Sequence, residues 1–181
     1  MVNLALTFLL LEEVSPFSLG AIVSYDDKVE DGTRINFIRP IYTELLKALR
    51  DDPEFIYKIN PRIWEEIIAA SYDKAGFDEV ILTPRSGDYG RDVIAIKKGF
   101  GSVRFIEQVK AYNPSHVVNA DEVRALLGVL QADPKATKAI FTTTSNFAPL
   151  ISKDKFIAPF LPYRLELHNR ENLINRLFDE E

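Results

Sequence analysis

Two stretches before residue 80 carry apolar residues at the spacing of an amphipathic helix. The first begins at Pro40, which suits a first helical turn, and ends before Asp51. The second follows Asn60 and Pro61, a capping residue and a first-turn residue, and it closes at Gly76, a natural C-terminal cap. The pattern therefore predicts two helices in this region of the chain.

Alternating or continuous apolar runs, rich in β-branched residues, predict the strands of a sheet. They lie at residues 79–83, 92–98, 103–112, 138–144 and 164–168. A helix opens at Asn119, where Glu122 stands three residues later in the spacing of a capping box, and a last helix follows Asn169. The order of helix, three meandering strands, helix and strand predicts an α/β fold with a central mixed sheet flanked by helices.

The first 35 residues are harder to interpret. Residues 4–11 are apolar, but they are few, lack a basic flank and run into Glu12 and Glu13, a pattern unlike that of a signal peptide or a membrane span. Residues 17–25 have the pattern of a strand and residues 26–33 that of a polar turn. We expect residues 1–35 to form a small accessory segment beside a domain at residues 36–181, and we expect no association with membranes.

Composition narrows the chemistry that the chain can perform. Of 181 residues, 46% are hydrophobic and 27% are charged, as in a soluble globular protein, and a cytoplasmic location is expected. The chain has no cysteine, which excludes disulfides, Cys-ligated zinc and a Cys nucleophile, and its two histidines leave little for a His-based metal site. A bound metal should therefore have oxygen ligands, as magnesium or manganese does.

The charge is unevenly distributed along the chain. The net charge is −5, but residues 85–110 carry six basic and three acidic residues, so this stretch is +3 and the remainder is −8. The basic residues are Arg85, Arg91, Lys97, Lys98, Arg104 and Lys110, and the acidic ones are Asp88, Asp92 and Glu107. Positive potential is thus concentrated where phosphate contacts would be needed.

The same stretch holds the strongest candidate chemistry. It has the pattern of a Gly-rich turn, a strand that opens with Asp92, a short reversal and a second strand. Because successive strand residues point to opposite faces, Gln108 and Lys110 share one side of the second strand, while Glu107 points to the other. A carboxylate, an amide oxygen and an ammonium can then meet at one place, which is what a metal-dependent phosphodiesterase needs.

Two adjacent glutamates on the second predicted helix differ in their expected surroundings. At about 100° per residue, Trp64 lies on the apolar face, Glu65 lies at its border and Glu66 points roughly opposite. We expect Glu65 to lean toward the sheet and a metal, and Glu66 to be in water.

Four blocks of sequence together resemble a known family. They are WEEIIAASYDKAGFDEVILTPRSGDYGRDVIAIKK, RFIEQVKAY, VRALLGVL and IFTTTSNFAP. The chain resembles the Mrr-like restriction endonucleases of the PD-(D/E)xK nuclease superfamily over roughly residues 40–178. The resemblance implies a restriction-endonuclease-like core of order αβββαβ and a metal-dependent DNA endonuclease of restriction or phage-defence type. Its ion is usually Mg2+, for which Mn2+ can substitute.

The resemblance also assigns roles to residues. A turn of the type D-x-G-x-D matches Asp88, Gly90 and Asp92, the Q-x-K signature matches residues 108–110, and an aromatic residue followed by Glu matches Trp64 and Glu65. The implied catalytic residues are Asp92, Gln108, Lys110 and Glu65. The implied metal ligands are Asp92, Gln108, the Val109 carbonyl and Glu65. We expect a supporting or DNA-contacting role for Asp88, Arg91, Arg85, Tyr112 and Arg124. Arg91 could instead pair with an acid, and a structural role is the simpler interpretation of Tyr112 and Arg124.

Two departures leave alternatives open. Gln108 replaces the carboxylate of the commoner signature with a neutral oxygen, which should weaken metal binding. The 35 N-terminal residues are few for a separate DNA-recognition domain, so specificity could reside in loops or in a separate specificity or defence partner protein. The alternatives are a structure-specific nuclease that cuts branched DNA of the Holliday-junction type, and a non-catalytic DNA-binding subunit with a nuclease fold. A homodimer would provide two sites for two DNA strands.

Overall fold

The computed structural model describes residues 22–84 and 90–178. Its main feature is a seven-stranded sheet with the strand order β1-β2-β3-β4-β5-β7-β9, and β6 and β8 form a separate pair. The strands are β1 Val23–Val29, β2 Gly32–Phe37, β3 Glu79–Leu82, β4 Val93–Lys97, β5 Val103–Lys110, β6 Val117–Val118, β7 Lys138–Thr143, β8 Asn146–Phe147 and β9 Leu165–His168. The α-helices are α1 Arg39–Asp51, α2 Pro61–Lys74, α3 Ala120–Ala132 and α4 Arg170–Phe178. Short 3₁₀ turns lie at Pro53–Tyr57, Ile151–Lys153 and Ala158–Phe160.

Two of the predicted helix starts are confirmed by side-chain caps. The Asn60 side chain accepts a hydrogen bond from the Arg62 amide at 2.9 Å, which begins α2. The Asn119 side chain accepts from the Glu122 amide, and the Glu122 carboxylate accepts from the Asn119 amide, so α3 begins with the predicted capping box. These local side-chain bonds explain why the helix starts were predictable from the sequence.

The sheet is mixed, as predicted. Strands β1 to β5 form an antiparallel meander, whereas β5 pairs with β7 and β7 with β9 in parallel. As a result, β3, β5, β7 and β9 end at the same edge of the sheet, where β4 begins. We call this the carboxyl edge, defined by Leu82, Val93, Lys110, Thr143 and His168.

The two faces of the sheet are covered by different helices. On one face, residues of α1, α2 and α4 pack in a core that contains Phe105 and Val109 of β5. On the other face, α3 packs in a core that contains Ile106. Because strand side chains alternate, Gln108 and Lys110 lie on the α3 face of the sheet.

The region before α1 differs from the sequence-based prediction. The predicted polar turn at residues 26–33 is wrong in extent, because residues 26–29 belong to β1 and residues 32–33 to β2, with only Glu30 and Asp31 forming the turn. Gly32 follows at φ 154°, and an added Cβ would lie 2.2 Å from the Leu82 carbonyl oxygen, so the hairpin can join the sheet only with glycine there. The predicted domain boundary at residue 35 stays a prediction and falls within β2. The apolar run at residues 4–11 lies outside the described residues.

The prediction that Glu66 is in water is wrong. Its side chain is fully buried, and the Tyr25 hydroxyl donates a hydrogen bond to it at 2.7 Å. The reason is tertiary, since the β1–β2 hairpin packs on the side of α2 that the helical pattern leaves polar. Burial, together with the bond to Glu66, raises the pKa of Tyr25 to about 12. The carboxylate is thus held by a neutral donor.

Within the two described ranges, every helix is too short or too polar to cross a lipid bilayer.

Candidate active site

Asp92 is held at the carboxyl edge by two hydrogen bonds to β5. Its amide donates to the Glu107 carbonyl at 2.8 Å, and its carboxylate Oδ2 accepts from the Val109 amide at 2.7 Å. Because Val93 pairs with Glu107, Asp92 lies across from Gln108 in the same antiparallel register. The backbone of β5 therefore fixes the orientation of the Asp92 carboxylate beside the Q-x-K residues.

Gln108 lies against Gly90 of the turn that leads into β4. An added Cβ at Gly90 would stand 3.2 Å from Gln108 Nε2, and Gly90 has a φ of 77°. Both the close approach and the left-handed backbone favour glycine at this position. The matching Gly in the sequence motif thus lets the turn lie directly on the Gln108 side chain.

Lys110 is the last residue of β5. Its carbonyl accepts hydrogen bonds from the Thr143 hydroxyl at 2.9 Å and from the Thr144 amide at 3.2 Å, so its backbone is fixed by β7. Across residues 22–84 and 90–178, the Lys110 ammonium has no ion-pair partner and the Gln108 side chain has no hydrogen-bond partner. Both polar groups are therefore available to a ligand next to Asp92.

Glu65 is linked to the Asp92 backbone through Arg62, a residue that sequence reasoning missed, and through Thr83. The Arg62 guanidinium pairs with Glu65 and also donates to the Thr83 carbonyl at 3.2 Å. The Thr83 amide and hydroxyl in turn donate to the Asp92 carbonyl, at 3.1 and 3.2 Å. This chain of contacts links α2, the end of β3 and Asp92. The available signal was the i, i+3 spacing of Arg62 and Glu65 on one helix face.

Arg91 pairs with acids. Its guanidinium lies 3.0 Å from Asp133 and 3.6 Å from Asp31, and Arg104 lies 3.1 Å from Asp31 and 3.4 Å from Asp133. Although burial opposes it, the Lys135 amide and both guanidiniums hold the pKa of Asp133 below its usual value. This largely buried cluster ties the hairpin turn and the C-terminal end of α3 to β5.

Tyr112 and Arg124 both fasten segments around the start of α3. The Tyr112 hydroxyl donates to Glu122 at 2.7 Å, and burial together with this bond raises the pKa of Tyr112 to about 12. Arg124 pairs with Asp121 at 2.5 Å and with Asp154 at 2.6 Å. The predicted supporting residues Asp88 and Arg85 lie outside the described residues.

Glu107 is the centre of a second hydrogen-bond network, which sequence reasoning did not find. Its fully buried carboxylate accepts hydrogen bonds from Tyr72 at 2.5 Å, from Thr142 at 2.6 Å and from Arg176 at 3.0 Å. Burial, reinforced by the charge of Glu107, raises the pKa of Tyr72 well above its usual value. Since the donors come from α2, β7 and α4, this network lies on the face of β5 opposite to Gln108.

Comparison with solved structures finds restriction enzymes. The DNA modification-dependent restriction endonuclease AspBHI matches at 21% identity and a TM-score of 0.51, over 77% of this chain and 35% of that one. The MspJI restriction endonuclease in complex with a 27-mer oligonucleotide matches at 15% identity and a TM-score of 0.47, over 75% and 30%. This chain thus spans about a third of each, and the likeness to AspBHI shows a shared fold. Comparison with curated proteins finds no match.

A family model adds the decisive match. The model Mrr_cat, described as restriction endonuclease, matches residues 56–177, well over half of the chain. The matched range begins before α2 and ends within α4, and it includes Asp92 and the Q-x-K residues of β5. This agrees with the resemblance that the sequence blocks show, and the chain belongs to the Mrr_cat restriction endonuclease family.

Proposed function

We propose that the protein is a metal-dependent DNA endonuclease of restriction or phage-defence type that hydrolyses phosphodiester bonds. Membership of the family supports a nuclease. The observation that carries the proposal for this chain is the Asp92 carboxylate, held by the Val109 amide beside Gln108 and Lys110. No contact among residues 22–84 and 90–178 employs the amide or the ammonium, so both are available to a ligand beside a fixed carboxylate.

The donor atoms fit a hard divalent cation. Asp92, Gln108, the Val109 carbonyl and Glu65 offer oxygen, as Mg2+ and Mn2+ prefer. Within the described residues no group of three His, Cys, Asp or Glu side chains stands ready for a metal, so the proposed set depends on neutral oxygens beside its carboxylates. When bound, the ion would supply positive charge that lowers the pKa of water and stabilises charge developing on the phosphate.

The residues of the chain then have separate tasks. Asp92 is held in one orientation by the Val109 amide, so its carboxylate is aimed before any ligand arrives. The Lys110 ammonium donates hydrogen bonds to the attacking water or to a phosphate oxygen and offsets negative charge there. Thr143 and Thr144 bind the Lys110 backbone carbonyl at the end of β5. The ammonium can therefore move only as far as the lysine side chain allows.

Glu65 is oriented by a neighbouring residue, Arg62. Its carboxylate pairs with Arg62, whose guanidinium also bonds to the Thr83 carbonyl, so the orientation of Glu65 is set from the end of β3. We propose that Glu65 acts directly or through a water molecule, with Arg62 as a positioning residue.

Cleavage assays test this function. The purified protein is incubated with plasmid, with methylated and unmethylated duplex, and with a four-way junction, each with magnesium, with manganese and with chelator. Modified DNA is included because AspBHI is a modification-dependent enzyme, and the junction tests the structure-specific alternative. We expect metal-dependent cutting by the wild type that is lost in Lys110→Ala.

A matched control makes the result specific. Lys98, an exposed lysine that follows the far end of β4, should tolerate Lys98→Ala without loss of cutting. Equal cutting by wild type and Lys110→Ala would refute the assignment of Lys110. If the folded wild type cuts no substrate with either metal, the proposal gives way to a non-catalytic DNA-binding subunit.

A further inference from the structure

Leu150 is placed in a way that the fold alone does not explain. It is a non-glycine residue with a positive φ, 67°, and its side chain is 68% exposed. A left-handed backbone is unfavourable for any residue with a Cβ, and a leucine that is mostly exposed gains little free energy from burial of its side chain. Such a combination in a native structure suggests a binding role.

The turn around Leu150 is rigidly held. The Ala148 amide donates to the Val118 carbonyl at 2.8 Å, and the Lys153 amide donates to the Leu150 carbonyl at 2.8 Å. The next residue, Ile151, is buried in the α3 core, and Asp154 is bound by Arg124. Leu150 is thus an apolar side chain that protrudes from a turn anchored on both sides.

This turn follows the carboxyl edge, the same edge as the proposed active site. The Thr144 amide donates to the Lys110 carbonyl, and Leu150 follows six residues later, after β8. Six extended residues span at most about 21 Å, whereas one turn of duplex DNA is about 34 Å long. Leu150 therefore lies within the length of one helical turn from the Lys110 backbone at the proposed site, which a duplex bound there can span.

The surroundings of Leu150 suit DNA. Lys153 and Lys155 follow it in the same segment, both exposed, and the described residues 22–84 and 90–178 give neither an acidic partner. Val117, on the neighbouring strand β6, is a second exposed apolar residue, at 44%. Lysines attract the phosphate backbone, and an apolar side chain near them can enter a groove and separate a pair of stacked bases.

We propose that Leu150 is a wedge that inserts between two base pairs of the substrate, within one helical turn of the cut. This rests on the proposed function, since it requires DNA to be bound at Asp92. Pyrimidine–purine steps such as TA and CA unstack most easily, so the wedge selects sites with such a step at its position. The wedge thereby provides some of the sequence preference without hydrogen bonds to bases.

The test measures binding and unstacking separately from cutting. Lys110→Ala is used as the background so that DNA stays intact, and duplexes carry 2-aminopurine at successive steps on both sides of the cut site mapped for the wild type. We expect fluorescence to rise at one step within a helical turn of the cut. Leu150→Asn, which keeps a residue tolerant of the left-handed backbone, should abolish this rise and weaken binding about tenfold.

Two controls separate a wedge from a structural role. Leu150→Met keeps the apolar side chain and should retain the fluorescence rise. Phe100→Ala removes an exposed apolar residue from the β4–β5 turn, at the opposite end of these strands from the carboxyl edge, and should change nothing. Thermal unfolding of Leu150→Asn should match the wild type, because little buried area is removed.

The outcomes are distinguishable from those of the proposed function. Suppose that the wild type cuts DNA. If Leu150→Asn then binds DNA as tightly as the protein with Leu150, or if no 2-aminopurine step responds even with Leu150 present, the wedge is refuted and the proposed nuclease function is unaffected. If wild type neither binds nor cuts any duplex, the proposed function fails first, and the wedge fails with it.

Discussion

Adjacent residues of β5 show how differently the two faces of one strand are used. On the α2 and α4 face, Glu107 is fully buried and bound by Tyr72, Thr142 and Arg176. On the α3 face, the Gln108 side chain is partly exposed and has no hydrogen-bond partner among the described residues. The carboxylate that looks more suitable for a metal is therefore committed to the fold, and the neutral amide is the one that can bind a ligand.

The comparison also shows what a buried charge does in this protein. Three donors from three elements converge on Glu107, so β5 is clamped between helices on the side opposite to the proposed site. One face of β5 is thus held by the Glu107 network, and the opposite face carries the proposed site residues Gln108 and Lys110.

The largest expected effect on cleavage comes from substitutions at the proposed site, on the α3 side of the sheet. Lys110→Ala and Asp92→Ala should each lower the cleavage rate by at least about 100-fold, because the first removes the ammonium beside the attacking water and the second removes a proposed metal ligand. The melting temperature should stay within a few degrees of the wild type. Single-turnover cleavage and thermal unfolding check both statements, and a variant that cuts at the wild-type rate contradicts the assignment.

The largest expected effect on stability comes from the face of β5 that packs against α2 and α4. Glu107→Ala should lower the free energy of unfolding by about 3–5 kcal/mol, because it leaves the buried Arg176 guanidinium without its charged partner. Urea denaturation measures the loss. The matched change Gln108→Ala, one residue away, should alter stability by less than about 0.5 kcal/mol. Equal losses for the two variants would show that the faces are not divided as described.

A smaller effect is expected from the link between α2 and the site. Arg62→Ala releases Glu65 from its guanidinium and removes a bond to the Thr83 carbonyl, so cleavage should fall about 10-fold to 100-fold, mainly through a higher metal requirement. A titration of cleavage rate against magnesium concentration checks this. Arg39→Ala, at the start of α1, provides the control, and an unchanged titration midpoint in Arg62→Ala would exclude a positioning role.

The smallest expected effect is a gain. Gln108→Glu places a carboxylate where the amide lies, without changing the size of the side chain, and should lower the magnesium concentration for half-maximal cleavage several-fold. The same titration serves as the measurement. If Gln108→Glu instead needs more magnesium for half-maximal cleavage, Gln108 does not face the ion. The site would then depend on Asp92 and Lys110 without Gln108.

The local features of the fold were predictable because they depend on neighbours in sequence. The capping box of α3 and the Asn60 cap of α2 were predicted at the right residues, and β4 and β5 were predicted to within two residues at each end, with Asp92 directly before β4 and Gln108 on β5. Period-two alternation also placed Glu107 and Gln108 on opposite faces. The family resemblance likewise rested on short ordered blocks.

Contacts between distant segments were not predictable. Glu66 was expected in water from helical periodicity, yet the β1–β2 hairpin covers that side of α2 and buries it against Tyr25. Arg176 carried no signal of its partner Glu107, which lies 69 residues away in the chain, because nothing in a sequence says which distant carboxylate a guanidinium will meet. The same holds for Leu150, whose left-handed backbone is set by the turn after β8.

The sequence by itself determined the elements, the two faces of β5 and the set of residues from which a site could be made, since periodicity and capping act over a few residues. The tertiary structure decided which polar groups are satisfied by the fold and which are left for other contacts. Burial and pairing depend on segments far apart in the chain. They assign Glu107 to the interior, and among the described residues they leave the Gln108 amide and the Lys110 ammonium without a partner.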